Sequence, residues 1–354
     1  MEEKKDTLGM LDLVIRPGFC VKENQIIKVN QAAESLFITP GTDVRPLLLT
    51  GSEEYAAFTG GCLYLTLNLS SHSCGASVTR VEDTDVFLLE QESDNGELRS
   101  MALAARELRE PLTNVMITAD SLFPLCATEE SPRTTEQVAR LNRGLFQILR
   151  IIGNMSDAER CAAVSHQETV DIPALFAEFF EKAETLVSHT GITLTYEGPD
   201  QPIYGLADRE QLERAVLNIL SNAIKFTPKG GTVTAKLTRS GRMLRLSVTD
   251  SGSGIAQSVR SSVFSRYLRQ PALEDSRYGI GLGMVLIRTA AAHHGGAVLI
   301  DQPEGAGTRI TMTMSIRQSK QATLRSNVLR VDYAGERDHG LIELSECLPT
   351  ELYE

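Results

Sequence analysis

Two asparagines four residues apart, Asn218 and Asn222, fall on one face of a helix. Their side-chain carbonyls suit a hard cation such as Mg2+, which keeps several waters and bridges phosphates. Lys225, one turn further along, can balance phosphate charge. Downstream, Asp250-Ser251-Gly252-Ser253-Gly254-Ile255 follows an apolar stretch, and its glycines let backbone approach a ligand closely. Gly279-Ile280-Gly281-Leu282-Gly283-Met284 opens a further helix and offers free amides to phosphate. Alone, each motif is weak, since glycine runs are mostly turn chemistry and such asparagine pairs usually face solvent. Their order along one stretch of chain carries the weight. A different kind of signal lies in Arg106-Glu107-Leu108-Arg109-Glu110-Pro111-Leu112. There a carboxylate base stands beside a guanidinium that stays protonated and has no free lone pair.

These residues need elements to hold them. Periodicity predicts helices over Ile172 to Thr190 and Asp208 to Lys225, with strands at Thr193 to Glu197, Gly231 to Thr238 and Leu244 to Thr249. Earlier, Met101, Leu108, Leu112, Val115, Ala119 and Leu122 form a heptad seam, and Val138, Leu141, Leu145, Ile148, Ile152 and Met155 form a second. Pro124 to Arg133 supplies the turn between them. An antiparallel hairpin results, and pairing two hairpins into a four-helix bundle buries the stripe. A homodimer is the natural consequence, although other domains or a different partner could cover the stripe. Pro111 costs about 3 kcal/mol in an ordinary helix interior and implies a kink.

Between Leu11 and Glu90 short apolar runs alternate with turn signals. Strands are expected at Leu11 to Ile15, up to Val21 after a turn at Gly18, at Ile26 to Val29, Leu63 to Leu69 and Val78 to Glu90. Helical stretches are expected at Gln31 to Phe37 and Ser52 to Thr59. The tail, 319–354, reads as an extra strand or loop on the preceding domain.

The chain of 354 residues implies two or three domains, and 42% hydrophobic with 23% charged residues is ordinary for a folded protein. A net charge of −11 argues against nucleic acid as the main partner. No apolar run approaches the roughly 18–20 residues of a membrane span. With a charged amino terminus in place of a signal core, the chain reads as cytoplasmic. The six cysteines lack C-x-x-C spacing, which argues against a zinc knuckle or a disulfide framework. His72, beside serines, reads as solvated rather than as a haem ligand.

The stretch from Arg106 to Leu112 resembles the phosphoacceptor box of sensor histidine kinases, usually H-E-L-R-T-P-L, with arginine in place of the reactive histidine. Asn218-Ile219-Leu220-Ser221-Asn222-Ala223-Ile224-Lys225-Phe226-Thr227 resembles that family's asparagine box, and Asp250 to Ile255 its D-x-G-x-G motif. Phe264-Ser265-Arg266-Tyr267-Leu268-Arg269 resembles the phenylalanine box at the base of a mobile lid. Gly279 to Met284 would close the lid, and Gly305-Ala306-Gly307-Thr308 is similar to the last glycine motif. Ile26 to Ala33 resembles the opening phrase of a PAS sensor module. The resemblance implies a multidomain α+β chain: a PAS-like sensor over 10–92, the hairpin over 97–160, an α/β sandwich of Bergerat (GHKL) type over 168–318, and an extension over 319–354.

It also implies cofactors and site residues. ATP and Mg2+ would be held by Asn218, Asn222, Lys225, Phe226, Asp250, Gly252, Gly254, Ile255, Phe264, Tyr267, Arg269, Gly279, Gly281, Leu282, Gly283 and Thr308. Asn218 and Asn222 would be the metal ligands, and Asp250 would accept from the adenine amino group. Hydrolysing relatives place a glutamate base where this chain has Asn218, and an amide cannot take a proton from water. Glu107 would be the base beside a missing nucleophile. Glu110 stands where the family's phosphatase activity uses Thr or Asn. Arg106 is either a solvated residue paired with Glu110 or a charge that binds a response regulator or γ-phosphate without transfer. The expected function is a nucleotide-dependent pseudokinase or scaffold acting on a response regulator or a partner histidine kinase. The alternative is a kinase domain that phosphorylates the histidine of a heterodimeric partner.

Overall fold

A computed structural model of the chain describes residues 11–12, 14–69, 72–90, 100–101, 103–105, 107–109, 112–119, 132–163, 167–255, 263–264, 282–303, 307–317 and 338–353. The first part is an antiparallel sheet of β1 (Gly18–Lys22), β2 (Gln25–Val29), β3 (Cys62–Leu69), β4 (His72–Val81) and β5 (Thr84–Leu89), in the order β2-β1-β5-β4-β3. Short helices α1 (Gln31–Glu34) and α2 (Ser52–Ala56) lie between β2 and β3 in the chain.

The strand expected at Leu11 to Ile15 is absent: its described residues form a helical turn and a bend. Asn30 is the reason. Its buried side chain accepts from the amides of Gly18 and Ala33, both at 3.0 Å, and donates to the carbonyls of Val14 at 3.1 Å and Arg16 at 2.7 Å. A buried amide must satisfy its donors, and here it does so with carbonyls that a ladder would otherwise use.

The C-terminal part holds β7 (Thr193–Glu197), β9 (Thr232–Ser240), β10 (Met243–Asp250), β11 (Val298–Asp301) and β12 (Arg309–Ser315), with β7 parallel to β9 and the other pairs antiparallel. A separate ribbon pairs β6 (Glu168–Asp171) with β8 (Tyr204–Ala207). Along β9, Val233, Ala235 and Leu237 are buried and alternate with exposed residues, so one face of the sheet meets the core. That core is completed by helices α4 (Ile172–Val187), α5 (Arg209–Phe226) and α6 (Leu282–His293). The α5 helix starts at Asp208, whose carboxylate accepts from the Gln211 amide at 3.1 Å.

The two sheets are joined. Edge strand β3 pairs with edge strand β11, Tyr64 opposite Val298 and Cys62 opposite Ile300, giving one ten-stranded sheet. Alternation along β3 serves both cores. Leu63, Leu65, Leu67 and Leu69 face the first, with Phe19 and Phe87, while Cys62 and Tyr64 face the second. Gly61, at φ +91°, lets the strands approach, because a Cβ there would strike the Ile300 carbonyl.

Helical residues at 100–101, 103–105, 107–109 and 112–119 and the long α3 (Pro132–Ala163) lie against the second core. The heptad seams split in two. Leu112, Ala119, Leu145 and Ile152 are buried, whereas Leu108, Val115, Leu141 and Ile148 are 51%, 52%, 53% and 46% exposed. Of the tail, the described residues 338–353 form α7 (His339–Glu343) and a 3-10 turn over Thr350–Tyr353, and they rest on α3 and α5. Among the described residues no helix is long and apolar enough to cross a membrane.

Candidate nucleotide site

The α5 helix carries Asn218, Asn222, Lys225 and Phe226 past the N-terminus of α6. Asn218 is 1% exposed and donates from Nδ2 to the Arg214 carbonyl at 2.9 Å. Its Oδ1 is buried without a hydrogen-bond partner among the described residues. That oxygen points at Gly283, where an added Cβ would stand 2.8 Å from it. Asn222 is half-buried, with Nδ2 3.9 Å from the Met284 Sδ. Both asparagines therefore face the start of α6.

Asp250 ends β10. Its Oδ1 accepts from the amides of Gly252 at 2.8 Å and Thr308 at 3.1 Å, and its own amide donates to the Thr308 carbonyl at 2.9 Å. Burial pushes the Asp250 carboxyl up from the usual carboxylate range, and those amide hydrogen bonds partly oppose the rise. Gly252 passes so close to the Phe226 carbonyl that a Cβ could not fit, which draws the end of α5 against the loop after β10. Ile255 packs at the edge of the main core.

Phe264 is buried, and its ring lies 5.5 Å from that of Tyr64. Arg288 of α6 holds this corner. It donates to the Phe264 carbonyl at 3.0 Å, pairs with Glu90 at 2.5 Å and lies 4.9 Å over the Tyr64 ring. Leu282 and Val285 pack with Met101 and Met155. The helix bearing Glu107 is thereby anchored to the N-terminal turn of α6, and Glu107 itself is exposed. Arg106, Glu110, Tyr267, Arg269, Gly279 and Gly281 lie outside the described residues.

Lys225 does not face open solvent. Its Nζ pairs with Glu346 at 2.8 Å, while Glu343, fully buried, meets Arg150 at 3.3 Å and Arg214 at 3.1 Å and accepts from Asn218 Nδ2 at 3.4 Å. Neither glutamate nor Tyr64 was singled out from the sequence. The only local signal was the run Leu341-Ile342-Glu343-Leu344, whose docking face no local pattern specifies.

The described histidines offer no obvious acceptor on the hairpin. His294 is buried, accepts from the Asp208 amide through Nε2 at 3.0 Å and sits 2.7 Å from the Ala290 carbonyl through Nδ1. Burial lowers its pKa, as it does that of His293. His339 is paired with Glu213, His72 and His189 are exposed on other elements, and His166 lies outside the described residues.

Residues 207–318, which hold Asn218, Asp250 and Thr308, match the family described as histidine kinase-, DNA gyrase B-, and HSP90-like ATPase. An uncharacterized sensor-like histidine kinase of Rhizobium meliloti is 29% identical over 276 residues, 73% of this chain and 52% of the relative. The adaptive-response sensory kinase SasA of Synechocystis is 30% identical over 224 residues, 61% of this chain and 58% of that protein. Residues 207–318 thus carry an ATPase domain of that kind, and the chain as a whole is similar to sensor histidine kinases. The chain spans between half and three fifths of the length of these relatives. A full-length structure of ShkA in complex with AMPPNP aligns with 64% of this chain and 47% of that one, at a TM-score of 0.51 and 23% identity, which speaks to the fold alone.

Proposed function

We propose that this sensor histidine kinase homologue binds Mg-ATP without phosphorylating itself, and acts as a nucleotide-dependent pseudokinase or scaffold in a two-component system. The observation that carries this reading is Arg106 at the acceptor position, beside an exposed Glu107. An arginine there cannot attack phosphorus.

The nucleotide residues support binding. A buried amide oxygen without a partner among the described residues, Asn218 Oδ1, is an available ligand for a hard cation, and Asn222 shares its helix face. Bound Mg2+ would neutralise phosphate oxygens there. Asp250 is fixed by two amides and would accept from the adenine amino group, with Gly252, Gly254 and Ile255 beside the base. Leu282 and Gly283 open α6 and would turn free amides to the phosphates. Phe264, Tyr267, Arg269, Gly279 and Gly281 would form the lid.

We assign residues 10–92 as a PAS-like sensor, 97–160 as the dimerisation hairpin and 168–318 as the ATP-binding domain. The antiparallel order β2-β1-β5-β4-β3 with helices between β2 and β3 supports the first. The half-exposed seam of Leu108, Val115, Leu141 and Ile148 supports a second copy, or a partner kinase, completing a four-helix bundle. A response regulator is the expected target. A second reading keeps transfer to the histidine of a heterodimeric partner, since the motifs that would meet phosphate are all present in the chain.

The test is incorporation of γ-labelled phosphate from Mg-ATP, with Asn222→Ala as the blank. Acid-labile label on the wild type overturns the pseudokinase reading. Without label on a protein that still binds ATP, adding a histidine-bearing partner kinase separates the two readings: label on the partner favours transfer, and altered partner activity without label favours the scaffold.

A further inference from the structure

The segment 338–353 lies beyond the matched ATPase residues 207–318, yet it reaches the asparagine-bearing helix. Its placement is specific. Asp338 Oδ1 caps α7, accepting from Gly340 at 2.6 Å and Leu341 at 3.2 Å. Ile342, Leu344, Leu348 and Tyr353 are buried in the main core, and Tyr353 packs edge-on against Phe146 of α3. Arg143 of α3 donates to the carbonyls of Ser345 at 2.9 Å and Glu346 at 3.1 Å. Those contacts hold the turn that aims Glu346.

Two carboxylates of this segment meet residues read above as nucleotide contacts. Glu346 lies between Lys225 at 2.8 Å and Arg150 at 3.2 Å. Glu343 ties Asn218 into a buried cluster with Arg150 and Arg214. A carboxylate satisfies a lysine by the same charge-assisted hydrogen bonding that a phosphate oxygen would use.

We propose that the C-terminal segment is a built-in antagonist of the nucleotide site, in which Glu346 holds Lys225 in place of a nucleoside-triphosphate oxygen. The proposal rests on the reading of Lys225 and Asn218 as nucleotide-binding residues. Phosphate and Glu346 compete for one ammonium group. Because the Glu346 side chain is 28% exposed while the Glu343 side chain is fully buried, the contact opens at Glu346 and loosens the turn through Cys347 and Leu348, with Glu343 and α7 still docked. Release of Glu346 also frees one side of Arg150, so nucleotide would loosen the clasp between α3 and α5. The segment thereby couples site occupancy to the long helix of the hairpin.

The experiment compares binding of Mg-ATP and of adenosine to the full-length wild type, Glu346→Gln and the control Glu351→Gln by calorimetry. The expected result is Mg-ATP binding roughly three- to tenfold tighter in Glu346→Gln, the scale of one partly screened ion pair, with adenosine unchanged and the control like wild type. Equal Mg-ATP affinity in Glu346→Gln and wild type overturns the antagonist while leaving the nucleotide reading intact. Absence of Mg-ATP and adenosine binding in every protein removes the nucleotide reading itself. Should Glu346→Gln fold poorly, amide exchange in the wild type decides. Mg-ATP should speed exchange at Cys347 and Leu348, whose amides donate to the Leu344 carbonyl, and unchanged exchange overturns the proposal.

Discussion

The Tyr64 ring of β3 lies 5.5 Å from the Phe264 ring, centroid to centroid, with Arg288 over the tyrosine face. One ring belongs to the first sheet and the other to the stretch that leads toward the expected lid. The β3–β11 pairing brings them together, so a strained or shifted β3 bears directly on Phe264 without passing through the hairpin.

Tyr64→Ala removes a buried ring from this junction and should cost about 3–5 kcal/mol. Calorimetry should show a lower unfolding midpoint, with the two sheets no longer melting together. A single transition at the wild-type midpoint would mean that the junction carries no coupling.

Asp250→Asn exchanges a carboxylate for an amide at the expected adenine contact. Mg-ATP and adenosine should both bind roughly tenfold more weakly, the scale of one hydrogen bond to a charged group. Asn222→Ala, by contrast, should weaken ATP only when Mg2+ is present. An equal loss with and without Mg2+ would remove Asn222 from the cation site.

Arg106→His restores an imidazole beside Glu107. Acid-labile label from γ-labelled ATP should rise above the wild-type level. If it stays at the blank, loss of autophosphorylation lies deeper than the acceptor, in Glu110 or in the lid.

Burial alone would raise the Glu346 carboxyl, but Arg150 of α3 and Lys225 of α5 hold it below its ordinary value of 4.5; Cys347 adjoins it on its own segment. A carboxyl whose folded pKa is depressed contributes stability above the unfolded value and loses it as pH falls through the folded one. The midpoint difference between wild type and Glu346→Gln should therefore be constant between about pH 5 and 8 and shrink in stronger acid. A difference that vanishes on raising pH would contradict the ion pair.

The helix that brings Asn218 and Asn222 to one face is visible in the sequence. Its apolar period and its Asp208 cap are local, and it forms over Arg209–Phe226. The same holds for β7, β9 and β10, whose alternation lies within single runs of chain. The expectation for Arg106 is also a matter of sequence alone, because arginine in place of histidine changes the chemistry whatever surrounds it. The strand expected over Leu11 to Ile15 failed for the opposite reason: its carbonyls are taken by Asn30, more than a dozen residues away.

Only the tertiary structure decided that β3 completes the second sheet at β11. Edge-to-edge pairing is made by backbone groups that every residue carries, so side-chain types do not announce it. It also decided where Glu343 and Glu346 go. A carboxylate near the end of the chain finds Arg150 and Lys225 only after the apolar residues between them have docked, and that long-range match of charges leaves no local period to read.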